Sequence, residues 1–411
     1  MSKQTSHPDL AFDRMLLSDE YLADPYPIYH ELRASDPVHF SASMNGWVLT
    51  RYADVVNALH DPRLISGRRI ESYTEKLSPD VQRQVQPLYH HMAKWIGNLD
   101  PPDHTRLRAL VNKAFTPRIV ANLRPRIGQI VDQLLDAVEP EGRMDGIADF
   151  AYPLPAIVIA EMLGVVPQDR WLFMKWSDDL TAYMGTGQAR PQEACAASNS
   201  AGEMVEYFRW IVSKRRTQPR EDLISSLVAV EEQGQQLLEH ELLSMCGFLI
   251  VAGHETTMAL LGNGLLALLR NADQRRLLAD NPALLPTAVE ELLRYDSPIQ
   301  HQTRVAAEPF KIDGKRVESG QRVVPFLGAA NRDPAEFPDP DRLDLRRRPN
   351  RHVAFGHGIH YCLGAPLARL EGQIAFGAIL RRLPTLKLEI DTPKWRRNTS
   401  NRNPISLPVV F

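Results

Sequence analysis

The stretch Phe355-Gly-His-Gly-Ile-His-Tyr-Cys-Leu-Gly364 decides how this 411-residue chain is interpreted. It places Cys362 in a loop with glycine at 356, 358 and 364, directly before an apolar helical pattern. Glycines allow positive φ angles and let the backbone pass close to a large flat group. They also leave N–H groups free to point at one sulfur, which would stabilise a thiolate. A soft anionic ligand of this kind suits haem iron.

Two other interpretations of Cys362 are open on the loop alone. A lone cysteine in apolar surroundings is most often an inert buried thiol. A zinc site is the second alternative, because His352, His357, His360 and Cys362 lie close together in the sequence. Against zinc, the loop lacks the paired ligand spacings of structural sites.

Composition excludes several classes of protein. The formal net charge is −2 and the pI is about 6.7, so nothing in the overall charge indicates nucleic-acid binding. Three cysteines are a sparse, odd set that indicates a reducing compartment rather than a disulfide framework. The polar N-terminus lacks the apolar core of a signal peptide, and uninterrupted apolar runs fall short of a membrane span. We therefore expect a soluble, cytoplasmic protein with no membrane span.

Helical periodicity dominates the chain, with two small β regions. Val38–Phe40 and Trp47–Thr50 read as strands around Asn45-Gly46, and Phe310–Val317 reads as a hairpin that turns at Asp313-Gly314. Further strands are predicted near 385–389 and 405–410. Helices are predicted at 52–60, 104–115, 118–138, 154–164, 168–184, 192–216, 239–270, 283–295 and 364–382. No repeat or linker divides the chain, so residues 1–411 are predicted to form one mainly helical domain.

The predicted helix 239–270 carries a polar interruption, Ala252-Gly-His-Glu-Thr-Thr257. Gly253 alone costs about 1 kcal/mol of helix propensity, and buried polar groups need partners or a function. An acid beside an alcohol, Glu255 next to Thr256, suits proton delivery. The alternative is a threonine that bonds to its own helix carbonyl.

Together these motifs resemble those of cytochrome P450 monooxygenases. The loop matches F-G-x-G-x-H-x-C-x-G, the helix matches A-G-x-E-T-T, and Glu291-Leu-Leu-Arg294 matches E-x-x-R. The resemblance covers nearly the whole chain. It implies a mainly α fold with small β-sheets around a buried haem b (iron protoporphyrin IX), with Cys362 as the iron ligand. It also implies dioxygen as co-substrate, with Thr256 and Glu255 as the catalytic pair at a gap in the helix beside Gly253.

The resemblance implies further roles for particular residues. Glu291 and Arg294 would lock to the following meander, with Arg342 as the third partner, and hold the cysteine loop rigid. Cations would bind the two haem propionates. The residues that would contact the cofactor are His104, Arg108, Gly253, Arg304, Phe355, Gly356, His360, Cys362 and Gly364.

Strand alternation extends this interpretation to the substrate pocket. If Arg304 faces the haem, a period of two places Gln302 and Gln300 on the same side. The pocket would then be partly polar, with apolar contacts from the long helix. The predicted substrate contacts are Phe248, Val251, Ala252, Ile299, Gln300 and Gln302.

The implied activity is insertion of one oxygen atom into a medium or large lipophilic molecule, by hydroxylation or epoxidation. The sequence most resembles soluble bacterial members of the family that act on polyketides, macrolides or fatty acyl chains, in natural-product or lipid metabolism. Electrons would come from a ferredoxin or flavodoxin with an NAD(P)H-dependent reductase, docked on basic residues such as Arg106, Lys113, Arg118 and Arg369. The substrate could be bound to an acyl carrier protein. The alternative is a haem- or metal-binding docking protein without oxygen turnover.

Overall fold

The computed structural model describes residues 11–71, 77–185, 190–232 and 237–411, and helices dominate these ranges. The predicted segments 52–60 and 239–270 are helical over those residues. In chain order the helices are α1 (Ala11–Met15), α2 (Asp19–Ala23), α3 (Tyr26–Ser35), α4 (Tyr52–His60), α5 (Pro79–Gln84), α6 (Gln86–Met92), α7 (Asp103–Ala114), α8 (Pro117–Asn122), α9 (Arg124–Val138), α10 (Pro153–Met162), α11 (Arg170–Gly185), α12 (Pro191–Thr217), α13 (Leu223–Glu232), α14 (Glu239–Arg270), α15 (Ala272–Asp280), α16 (Leu285–Tyr295), α17 (Leu327–Ala330) and α18 (Ala365–Arg382).

One predicted helix is divided in two. The segment 118–138 was expected to be continuous, but α8 ends at Asn122 and α9 begins at Arg124. Pro125 occupies the first turn of α9, where its missing N–H costs nothing. Inside one continuous helix the same ring would clash with the preceding turn, so the chain restarts the helix there.

The strands form three small sheets. The largest has the order β1-β2-β8-β5-β3, with β2 and β8 parallel and the other neighbours antiparallel. A three-stranded sheet, β4-β10-β9, joins the C-terminus to the region before α10, and β6 pairs with β7. The strands are β1 (Val38–Ser41), β2 (Gly46–Leu49), β3 (Leu64–Ile65), β4 (Arg143–Asp145), β5 (Arg304–Ala306), β6 (Phe310–Ile312), β7 (Lys315–Val317), β8 (Arg322–Pro325), β9 (Lys387–Leu388) and β10 (Pro408–Val410).

The two predicted turns behave differently. Asp313 and Gly314 both have positive φ, at 49° and 76°, as a two-residue hairpin turn requires. In the first hairpin Ser41 pairs with Gly46, so both strands extend one residue further toward the turn than predicted and Gly46 already belongs to β2. Asn45, with φ of 48°, closes that turn.

Helix α14 runs through the centre of the protein. It contacts α10, α11, α12, α16 and α18. By length and composition alone it could cross a membrane. The mean hydropathy is taken over 18 residues, so the few polar residues at 253–257 do not lower it enough to exclude the helix. Its most apolar window is 78% buried inside the protein, as expected for a core helix.

Candidate active site

The cysteine loop is closed by its own backbone. The Cys362 N–H donates to the Phe355 carbonyl at 2.9 Å, and the Tyr361 N–H donates to the Gly358 carbonyl at 3.1 Å. Gly356 and Gly358 both have φ of 69°, a conformation that side chains disfavour. A Cβ on Gly358 would also lie 2.7 Å from the Leu59 carbonyl oxygen of α4. The glycines therefore allow a tight loop that packs against α4.

Cys362 differs from the other cysteines in its surroundings. Burial raises the pKa of its thiol, while the backbone N–H groups of Gly364 and Ala365 at the start of α18 hold that pKa down. The residue as a whole is half-buried. Cys246 is fully buried in α14, and burial raises its pKa without such donors outside its own backbone. Cys362 thus has the features of a ligand rather than of an inert core thiol.

The four candidate zinc ligands are separated in the fold. His352 bonds Glu290 at 3.1 Å, His357 bonds His60, and the His360 ring packs at a tilt against the ring of His104. Within the described ranges no group of three or more His, Cys, Asp or Glu residues could hold a metal ion. The zinc interpretation therefore has no support in the structure.

A cluster of three arginines and two histidines lies beside the cysteine loop, and we call it the cation cluster after its arginines. The rings of His104 and His360 are 4.3 Å apart. Burial and the neighbouring cations together lower the pKa of His360 to about 2, so this ring is neutral. The buried Arg304 also has a lowered pKa, about 9, through burial and the proximity of another arginine. The members of the cation cluster are Arg69, His104, Arg108, Arg304 and His360.

The cation cluster fits the acidic edge of a haem. Buried cations are costly unless an anion pairs with them. Asp100 is the acid that opposes Arg304 here, and its two oxygens already accept the N–H groups of Ser66 and Gly67 at 2.8 Å each. His104 Nδ1 is buried without a hydrogen-bond partner. Two propionates would supply the missing negative charge, and Arg108 is near enough to Cys362 for their charges to interact.

One face of α14 lines a cavity of about 510 Å³. Phe248, Ala252 and Thr256 follow at i, i+4 spacing and are half-buried, whereas most of the helix is buried. Ile299 and Gln302 line the same cavity, as does Val251. The predicted substrate contacts other than Gln300 are therefore brought together.

The acid–alcohol pair lies at this cavity. Thr256 Oγ1 donates to the Ala252 carbonyl at 2.8 Å, which is the helix bond considered as an alternative above. Glu255 is 4% exposed, and its carboxylate accepts from Asn401 Nδ2 at 2.9 Å and lies 3.4 Å from Arg396. Burial raises the pKa of Glu255, and Arg396 and Asn401 oppose that rise. Both groups can therefore hold a proton beside the cavity. Arg396 and Asn401, the partners of Glu255, lie in the C-terminal segment, and no motif around them in the sequence indicates this role.

Of two further predicted contacts, one stays a prediction and one is wrong. The contact of Gly253 with the cofactor stays a prediction; a Cβ at this position would lie 3.1 Å from Ile159 of α10, so the glycine also allows close helix packing. Gln300 was expected in the pocket, but it is buried, donates to the Ser297 carbonyl at 2.7 Å and accepts from the Tyr29 hydroxyl at 3.2 Å. The alternation fails because residues 299–303 are not a regular strand: only Ile299 and His301 form isolated bridges.

The Glu291–Arg294 pair is fully buried and reaches the meander through backbone oxygens. Arg294 Nε lies 2.8 Å from Glu291 and the guanidinium donates to the carbonyls of Asn331 and Pro340, each at 2.8 Å. Arg342, predicted as the third partner, contributes only its carbonyl, and its side chain is exposed. Arg347 is the third partner, and its guanidinium lies 3.2 Å from Glu291. The prediction chose the wrong arginine because the meander has several within a few residues.

The predicted basic docking residues are partly neutralised. Arg106 pairs with Glu241, and Arg369 pairs with Glu290 at 2.7 Å. Lys113 and Arg118 are exposed. The segments at about 63–98 and 165–200 resemble the substrate-facing loops of the family, and their residues 72–76 and 186–189 lie outside the described residues.

Comparison with known proteins identifies the family. Residues 156–405 match the family model "Cytochrome P450". The chain is 41% identical over 401 residues to the polyketide biosynthesis cytochrome P450 PksS of Bacillus subtilis, covering 95% of this chain and 96% of that one. A myxobacterial cytochrome P450 solved with myristic acid superposes with a TM-score of 0.87 at 44% identity, covering 98% and 99% of the two chains. P450BioI, solved with an acyl carrier protein that carries hexadec-9Z-enoic acid, gives a TM-score of 0.88 at 38% identity, covering 96% and 100%. The chain belongs to the cytochrome P450 family.

Proposed function

We propose that this P450 oxidises a medium or large lipophilic substrate in the cavity beside Thr256, with Cys362 as the iron ligand. The overall reaction is R–H + O₂ + 2e⁻ + 2H⁺ → R–OH + H₂O, or the corresponding epoxidation. The observation that carries the proposal is the pairing of two features: a cysteine whose thiol pKa is held down by two backbone N–H groups, and a neighbouring cation cluster in which Arg69 lies near the buried Arg304 and Asp100 is the opposing acid.

When bound, haem b supplies the activation of dioxygen. The chain would hold it through Cys362 and the cation cluster, and the mainly apolar face of α14 would orient the substrate. Glu255, fixed by Asn401 and Arg396, would hold a proton at its carboxyl, and the Thr256 hydroxyl would pass it into the cavity. Arg396 is about one third exposed, so this end of the relay reaches solvent.

His254 has a packing role in this proposal. Its Nδ1 lies 3.0 Å from the Ser177 hydroxyl and its Nε2 lies 3.1 Å from the Tyr152 carbonyl. Burial lowers the pKa of His254 to about 4, so the ring is neutral and joins α14 to α11. It takes no part in the proton relay.

Electrons come from an external donor, as in other members of the family. We propose a ferredoxin or flavodoxin with an NAD(P)H-dependent reductase, and a cytoplasmic location. We also propose that residues 1–411 form a single haem-thiolate monooxygenase domain. The alternative of a haem- or metal-binding docking protein without turnover is not favoured, because the acid–alcohol pair is intact and lines the cavity.

The substrate class is supported by relatives and by the cavity. PksS is named for polyketide biosynthesis, and the two solved relatives hold fatty acyl groups. A cavity of about 510 Å³, with apolar walls and a few polar groups, falls within the usual range for such ligands. We propose a polyketide, macrolide or fatty acyl substrate, either free or bound to a carrier protein.

The test is the carbon monoxide difference spectrum of the reduced protein. Wild type should give the far-red Soret band of thiolate-ligated haem, and Cys362→Ser should lose both this band and turnover. Cys195→Ser is the matched control, because Cys195 lies on α12 with a half-buried side chain and should keep the band. A Cys362→Ser protein that retains the far-red band would overturn the assignment.

A further inference from the structure

The cavity beside Thr256 reaches the surface at the turn between β1 and β2. Ser43 and Asn45, in this turn, line the cavity and are exposed, whereas every other lining residue in the described ranges is buried or half-buried. Leu16 and Leu17, which follow α1, line the cavity as well. The mouth of the cavity is therefore bounded by the β1–β2 turn on one side and by the end of α1 on the other.

Asp13 on α1 connects these two sides of the mouth. Its Oδ1 accepts the Ser41 hydroxyl at 2.6 Å and the Ser43 N–H at 3.1 Å, and its Oδ2 lies 3.1 Å from His39 Nε2. Its backbone carbonyl accepts the Ser43 hydroxyl at 3.2 Å. All these partners lie on β1 or in the turn after it, so a single aspartate fastens α1 to the β1–β2 turn.

The segment that crosses the mouth, residues 14–18, is anchored at both ends, and we call it the entrance strap. On one side Phe12 is 1% exposed and packs edge-on against Phe326, with ring centroids 5.6 Å apart. On the other side Tyr21 of α2 is buried. Between the anchors Leu17 has φ of 71°, a conformation that is costly for a leucine. The closed entrance strap is thus under backbone strain, which the contacts of Asp13 oppose.

The entrance strap is the wall of the mouth that can move. Met15, Leu16 and Leu17 are only half-buried where they pack against the core. Segments that bury little apolar surface open locally without unfolding the rest of the protein. The opposite wall is held firmly, because β2 pairs with β1 on one side and with β8 on the other.

We propose that substrate enters the cavity when the contacts of Asp13 with the β1–β2 turn break and the entrance strap lifts. This inference rests on the proposed function, because it makes this mouth the route by which the lipophilic substrate reaches the reactive end of the cavity. Asp13 is a positioning residue, which acts by holding the entrance strap closed. Its loss should speed the entry and the exit of a bulky ligand together.

The test is the rate at which the haem-loaded ferric protein binds clotrimazole and cyanide, followed by the shift of the Soret band after rapid mixing. Both ligands bind the haem iron, but clotrimazole is bulky and cyanide is small. Asp13→Ala should bind and release clotrimazole ~10-fold faster than wild type, because the hydrogen bonds to a charged acceptor that close the mouth are lost. The cyanide rates should stay the same, whereas a general loosening of the fold would raise the rates for both ligands and overturn the proposal.

Asp19→Ala is the matched control. Asp19 is an exposed aspartate at the first residue of α2, directly after the entrance strap. This variant should bind both ligands at the wild-type rates. Equal clotrimazole rates for Asp13→Ala and wild type would overturn the proposal, and a normal far-red band would then leave the monooxygenase assignment intact.

A disulfide provides the opposite test. Asp13→Cys combined with Ser43→Cys would join the entrance strap to the turn at two residues that are in contact. The oxidised protein should lose rapid clotrimazole binding and regain it on reduction, while cyanide binding stays unchanged. If Asp13→Ala failed to fold, this comparison alone would decide, because equal clotrimazole rates in the oxidised and reduced forms would exclude the entrance strap as the route of entry.

Discussion

Glu371 shows at the scale of one residue how a buried acid ties stability to pH. It lies on α18, is 2% exposed, and its Oε2 has no hydrogen-bond partner. Burial raises its pKa from 4.5 to about 8. Between these values the folded protein keeps the proton and the unfolded chain releases it. The unfolded state then binds fewer protons, so the free energy of unfolding falls as pH rises through this window.

We expect Glu371→Gln to remove this dependence. For a carboxyl that titrates as described, the contribution to the slope approaches ~1.4 kcal/mol per pH unit between the two pKa values. Denaturant unfolding of haem-loaded wild type and variant at pH 5, 6, 7 and 8 measures it. The stability of the variant relative to wild type should increase with pH. Glu318→Gln, at an exposed site, should run parallel to wild type, and a constant offset for Glu371→Gln would contradict the expectation.

At this scale, prediction from sequence succeeded where the functional residues lie next to one another in the chain. Cys362 and the neighbours Glu255 and Thr256 were recognisable because loop and helix motifs are local. Arg396 and Asn401, which hold Glu255, come from a segment more than a hundred residues away and could not be identified. Gln300 was misplaced because strand alternation was applied to a stretch without regular ladders.

The meander after α17 offers a sharp test of one corrected residue. Arg347 has a 9% exposed side chain beside the fully buried Glu291, and also donates to the Pro338 carbonyl at 2.7 Å. Arg347→Ala leaves part of a buried charge without a partner, which should cost about 1–3 kcal/mol and reduce haem retention. Arg342→Ala removes an exposed side chain and should change stability by less than about 0.5 kcal/mol. Thermal unfolding and haem content measure both, and equal effects would favour the original choice of Arg342.

At the scale of the element, two helix glycines should respond in opposite ways to the same substitution. Gly202 on α12 has open space where a Cβ would stand. Alanine there should stabilise the protein by up to about 1 kcal/mol, because it restricts the unfolded chain and favours helix. At Gly264 on α14 a Cβ would lie 2.5 Å from Phe376 Cζ on α18. Overpacking of a buried ring should cost about 1–3 kcal/mol.

Denaturant unfolding of Gly202→Ala and Gly264→Ala compares the two directly. A gain in stability for both variants would contradict the expectation, because it would mean that α14 and α18 can move apart at Gly264 without loss of stability. Such close approaches are invisible in a sequence, where both glycines interrupt a helical pattern in the same way.

Long helices were predictable and short ones were not. α14 and α18, with 32 and 18 residues, match the periodic segments to within one residue. The helices α1, α2, α3, α5, α6, α13, α15 and α17 were missed. Most span only a few turns, so one apolar face contributes too few residues to establish a period. Their stability comes from tertiary packing, as with Tyr29 on α3, which is fully buried against Phe326.

At the scale of the whole molecule, the cofactor should act as part of the core. The cation cluster draws on a turn before α5, on α7, on β5 and on the cysteine loop, so its mutual repulsion connects distant parts of the chain. A bound dianionic edge would neutralise it and join these elements. Binding to the folded state alone also stabilises that state by mass action.

We therefore expect haem-free protein, made under limited haem supply, to have a lower Tm than the haem-loaded form and a stronger response to anions. At equal ionic strength, sulfate should raise the Tm of the haem-free protein more than chloride does. General screening is then the same for both salts, but the sulfate dianion can also bind in the cation cluster. Arg304→Gln removes the most buried arginine of the cluster and should reduce this excess effect of sulfate. Differential scanning calorimetry of the four samples measures it. An identical sulfate response in haem-free and haem-loaded protein would mean that the cluster is already neutralised by the chain itself.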